Sequence, residues 1–260
     1  MGDLRRLGRG IGGMAQRANP AFAVGAVAIP LVALGGAMLG ADADLRGLFY
    51  VHVLAGVLWT GIDVFMGAVL GPVVGSLGPE ERADFFGRFT PKMTFLLPTV
   101  ATVTITGGIV LALRIGKFPN AMPWLALFTA GTTIPIVLLI ASQFDALLDR
   151  RTLVILAAAL LGSGWFVYTT VIEYATTHAA ILPATNFWIV LALVIVGLLA
   201  IQGFGLILPG EVRIYRQITS DEPDVDVIGA VGMRNAKLGG LQGAFQLVII
   251  FVMVALRWGG

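Results

Sequence analysis

Residues 50–65 read YVHVLAGVLWTGIDVF, and this stretch decides the fold. Most of it would dissolve in oil, yet it carries His52, Trp59 and Asp63. The apolar run around it covers residues 48–76. That is longer than the roughly 20 residues needed to cross a hydrocarbon core. The stretch therefore predicts a transmembrane helix holding three groups that lipid disfavours.

The same texture recurs along the chain. Spans are expected at 21–40, 48–76, 93–113, 122–141, 152–175, 187–208 and 241–257. No run alternates as a barrel strand does, so the fold class is all-α: a polytopic transmembrane helical bundle of about seven spans. Composition agrees. The 260 residues are 57% hydrophobic and 12% charged, about half the charge of a soluble domain, and mean hydropathy is +0.90. Residues 1–260 read as one integral membrane domain, multi-pass in the cell membrane, with the lipid bilayer as its main partner. A homo-oligomer or a membrane redox partner is the further expectation.

Basic residues set the orientation. With the N-terminus cytoplasmic, the inner segments hold 13 of the 17 Lys and Arg residues and the outer ones hold 4. This satisfies the positive-inside rule and puts Gly260 outside. The pI near 9.2 follows from these scattered loop charges; no basic patch suggests nucleic acid. Basic residues before the first apolar run resemble a signal peptide, but the run is too long for one. The longest polar stretch, 209–240, reads as a cytoplasmic connector. "PGEVRIYRQI" looks like the sixth span continuing, and a short helix is expected after it, with acids first and Arg234 and Lys237 last.

At about 100° per residue, His52, Trp59 and Asp63 fall within roughly 40° of arc. They make one stripe about 16 Å long, and Gly56 and Gly67 lie near it. Glycines there let a neighbouring helix or a flat cofactor approach closely. An ionisable side chain in a membrane usually faces the protein interior and marks function. Asp63 is thus a proton-linked or structural acid. His52 is a metal or haem ligand, a proton relay, or a hydrogen-bonded structural residue. Trp59 packs the core or a cofactor edge.

"HVLAGVLWTG" resembles a helix of the HemJ-type protoporphyrinogen oxidases and CopD-type copper proteins. The next span strengthens the likeness: "PKMTFLLPTVATVTITGGIVLAL" has Lys92 at its mouth, then Pro98, then Thr106-Gly107-Gly108. The resemblance covers about residues 48–113. It implies a helix-pair fold, and haem b held by His52, with Lys92 the counterpart of a second haem-linked residue. HemJ-like proteins have fewer spans, and Lys92 falls at the opposite end of the membrane from His52, so one haem does not easily touch both.

His178 is the other histidine. It is expected on the same side as His52 and is a candidate second axial ligand if the fifth span runs longer than 175. Met38 and Met122 lie near the same level, as does Met253, and Met with His suits copper or haem iron. Glu173 is an intramembrane or interfacial acid, on a different helix face from His178.

Several classes are excluded. With no cysteine there is no disulfide, thiolate metal site, iron–sulfur cluster or c-type haem. The last span lacks the lysine that retinal needs. There is no phosphate-binding loop, no HExxH and no nucleophile elbow. Three functions remain: a haem b or copper protein in membrane redox chemistry or electron transfer, as an oxidoreductase or otherwise; a proton- or ion-coupled transporter or channel using Asp63 and Glu173; and a structural subunit.

Overall fold

A computed structural model describes residues 2–39 and 45–258, with side chains from residue 10 onward. Among the described residues all regular structure is helical. The eight helices are α1 (Gly2–Ala18), α2 (Pro20–Leu39), α3 (Leu45–Gly75), α4 (Pro79–Arg114), α5 (Met122–Gln143), α6 (Arg150–His178), α7 (Phe187–Ile218) and α8 (Val225–Trp258). All but α1 are long and apolar enough to cross a membrane. Their outward faces carry exposed Val24, Ile29, Val32, Val57 and Leu161. Such faces suit a bilayer as solvent, so this is a multi-pass membrane protein.

Local chemistry sets the helix ends. Asn19, with φ of 75°, closes α1, and its side chain accepts a hydrogen bond from Ala21 N at the start of α2. Pro79 opens α4 with Glu80 and Glu81 in its first turn, and Glu81 accepts from Gly78 N. Asp149 and Asn186 cap α6 and α7 through Arg151 N and Trp188 N. Asp224 does the same for α8 through Asp226 N and Val227 N. Three helices contain one π-helical turn, at Met66–Leu70, Tyr168–Ile172 and Gly203–Ile207. Such turns free backbone carbonyls. In the third, Gln143 Nε2 satisfies Gly205 O at 2.8 Å.

The chain forms two compact units: residues 1–108 with 210–243, and residues 109–209 with 244–260. The first contains a core of Val74, Ala83, Phe86, Ile214, Ile228 and Val231. The second contains a core of Phe118, Ala121, Ile189 and Leu256.

The expected connector differs from the observed one. Of residues 209–240, only 219–224 lie outside helix. α7 runs on to Ile218, and α8 starts at Val225 and continues as the last span. Ile214 and Ile228 are fully buried. The short helix expected to stop after Lys237 has no stop. Gly239 and Gly240 do not end it, because Gly240 is where α8 meets α3.

Candidate functional site

The predicted stripe on α3 faces the interior of the first unit. Trp59 is buried, and Asp63 is only 1% exposed and takes part in an interaction within the protein. His52 is half-buried. The stripe meets two different helices. Its first half packs on α4: a Cβ on Gly56 would lie 3.4 Å from Thr104 Cγ2. Its second half packs on α8: Gly67 lies backbone to backbone against Gly240, and a Cβ on Gly239 would lie 3.6 Å from Asp63 Oδ1. Both glycines beside the stripe therefore admit a neighbouring helix.

His52 has a defined orientation. Its Nδ1 lies 2.9 Å from Thr104 O. A carbonyl can only accept, so Nδ1 carries the hydrogen, and in the neutral ring Nε2 keeps its lone pair. Missing side chains make the contact possible. A Cβ on Gly108 would stand 2.7 Å from His52 Cε1, so any larger residue would displace the ring. An imidazole whose far nitrogen donates to a carbonyl is how ligating histidines are held. In that respect His52 fits a haem or metal.

Within the first unit, Lys92 does not join it. Lys92 donates to Arg88 O of its own helix. It precedes Thr104, the residue that holds His52, by twelve positions, or about 18 Å of helix. In the second unit α6 does run on to His178. That ring is exposed, stacks on Tyr174 at 4.1 Å and shares Nδ1 with Thr177 Oγ1 at 2.6 Å. Glu173 is exposed as well. Met122 and Met253 are exposed, while Met38 is half-buried, one turn beyond Leu34, which reaches Gly107. Among the described residues no three His, Cys, Asp or Glu side chains form a metal-holding group.

α8 contributes what sequence reasoning missed. Asn235 and Gln242 are 4% and 2% exposed. With Gly239 they lie on one helix face, spaced four and three residues apart. Asp63 meets this face at Gly239. One turn earlier, Asn235 Nδ2 donates to Glu211 Oε1 of α7 at 2.8 Å, and Arg234 Nη2 donates to Asn235 Oδ1 at 3.3 Å. Glu211 is 8% exposed. Thr90 of α4 interacts with the same carboxyl, although neither Thr90 Oγ1 nor Glu211 Oε2 reaches a partner in strict hydrogen-bond geometry. Two buried carboxyls thus meet one face of α8 about 6 Å apart along its axis. The signal available for Glu211 was a run of small and amide residues in α8 at helical spacing.

The chain matches no known family, no curated protein and no solved structure.

Proposed function

We propose that the protein is a proton-coupled membrane transporter, with the Asp63 carboxyl as its proton-binding group. The observation that carries this is a single one. Asp63 is sealed inside a membrane-length helix pair, against an α8 face bearing buried Asn235 and Gln242. A carboxyl so placed costs stability, which makes it a functional candidate by default. The π-helical turn at Met66–Leu70 begins three residues beyond it, and such turns recur at functional sites. Glu173 has no part in this reading, being exposed. The test is proton flux into liposomes holding a pH-sensitive dye, driven by a potassium diffusion potential. Wild type should conduct or exchange protons, and Asp63→Asn should lose that flux. Equal flux in both proteins sinks the reading.

A second reading, haem b or copper ligation for redox chemistry, is favoured by the fixed orientation of the His52 ring. There His52 Nε2 would be the ligand and the Thr104 carbonyl would orient it. The cofactor would supply electron transfer. Its test is an absorption spectrum and a metal assay on protein expressed with added haem or copper, beside His52→Ala. No Soret band and no stoichiometric metal in wild type ends it.

A further inference from the structure

We propose that Glu211 is a second proton-binding carboxyl, which exchanges protons between Asp63 and the water at the 219–224 end of the first unit. This deepens the proton-coupled reading and rests on it for its role.

The argument begins with an imbalance in hydrogen bonding. A carboxylate has two oxygens and wants donors on both. Glu211 Oε1 has Asn235 Nδ2, whereas Oε2 is buried without a donor. On the α4 side Thr90 interacts with this carboxyl, and its buried hydroxyl likewise reaches no partner in strict geometry. Buried polar atoms left in this condition are rare and ask for a cause. The Thr90 hydroxyl serves both states of the carboxyl: it donates to an ionised Oε2 and accepts from a protonated one, so the pair takes up and releases a proton without losing a partner.

Surrounding charges separate a proton from a larger cation. Arg234 of α8 lies close enough to interact electrostatically with Glu211, and Arg213 of α7 interacts with Arg234. Two guanidinium groups repel a sodium or divalent ion. A proton meets the same field, but it bonds covalently to one oxygen and needs no coordination shell of its own, so it binds where those ions do not fit. The step balances simply. A hydronium ion gives one proton to Oε2, an O–H bond forms, and water and a neutral carboxylic acid result. Release reverses it.

Position along the helices gives the role. α7 has 32 residues, or about 48 Å, against a hydrocarbon core of roughly 30 Å. Glu211 lies in the last third of that length, near the non-helical residues 219–224. Asp63 lies further along α8 in the direction of the last span. A proton moving between Asp63 and that end passes the α8 face that Glu211 occupies.

The test is infrared difference spectroscopy on full-length protein in lipid nanodiscs. Wild type at neutral pH should show the carbonyl stretch of a protonated carboxylic acid that disappears in Glu211→Gln and survives in Asp63→Asn. Thr90→Val keeps the side-chain volume and should shift the same band, because it removes the neighbouring oxygen. This arm holds even if Glu211→Gln folds poorly. A Glu211 that remains a carboxylate across the accessible pH range, or a band indifferent to Thr90→Val, overturns the inference. In the flux assay, Glu211→Gln should lose transport. If it keeps wild-type flux while Asp63→Asn loses it, this inference fails alone. If both keep it, the proton-coupled reading fails as well.

Discussion

The contact between α3 and α8 can be tested by a single methyl group. In Gly67→Ala the new Cβ would overlap Gly240 Cα, with backbone on both sides and no flexible side chain to yield. From the other direction, a Cβ on Gly240 would stand 2.8 Å from Gly67 Cα, whereas ordinary contact begins at 3.4 Å. The helices must therefore part by at least about 0.6 Å, and every contact along the crossing loosens. Overpacking of this kind costs about 1–3 kcal/mol. With nothing soft at the contact, about 3 is the better figure. Against it stands the helix preference of Ala over Gly, about 1 kcal/mol. The difference leaves Gly67→Ala destabilised by about 2 kcal/mol.

Gly61 is the control. It lies on the same helix with nothing within 4 Å of its would-be Cβ, so Gly61→Ala should be neutral or stabilising by up to about 1 kcal/mol. The assay is reversible unfolding by SDS titration in mixed micelles, followed through the fluorescence of the five tryptophans. Opposite signs for the two variants support the close crossing. A Gly67→Ala protein as stable as Gly61→Ala would refute it, and with it the placement of Asp63 against Gly239.

Two further outcomes can be checked with simple reagents. The 13-to-4 distribution of basic residues places the α3–α4 turn in the cytoplasm, so a cysteine at position 80 should resist membrane-impermeant maleimide in intact cells; labelling there reverses the topology. Gly108→Ala should push the His52 ring off Thr104 O, at a cost of about 0.5–1.5 kcal/mol for the lost bond, and the Nδ1–H resonance seen by ¹⁵N-histidine NMR in wild type should vanish; a resonance unchanged from wild type counts against the His52 geometry.

The spans were legible because lipid imposes one coarse rule, about 20 apolar residues at a time. All seven expected spans correspond to observed helices to within a few residues at one end or both, and α4 and α8 each extend well before the predicted start. Those extensions were hidden for one reason. Residues 79–92 and 225–240 are polar enough to read as loop, but they are helical because they pack on each other, through Phe86 of α4 and Ile228 and Val231 of α8. The α3 stripe was readable because helical period alone brings His52, Trp59 and Asp63 to one side. Which helix each would face was not readable. That depends on Gly108 and Gly239, which lie 56 and 176 residues away along the chain from the side chains they admit.

Glu211 shows the limit most clearly. In sequence it stands in PGEVRIYRQI, between a proline and several charged residues, where an acid belongs in water. Its burial is set by Asn235, 24 residues later, and by Thr90 from an earlier helix. α8 nonetheless carried a hint. Asn235, Gly239, Gln242 and Gln246 are spaced by four, three and four residues, and the three amides among them are almost completely buried. Buried amides at that spacing on a membrane-length helix are costly without partners. Such a stripe therefore predicts polar groups on the helices facing it, and in the first unit two carboxyls, Asp63 and Glu211, lie along it. An amide stripe in a span is thus a search instruction: acids elsewhere in the chain that look solvated become candidates for burial against it.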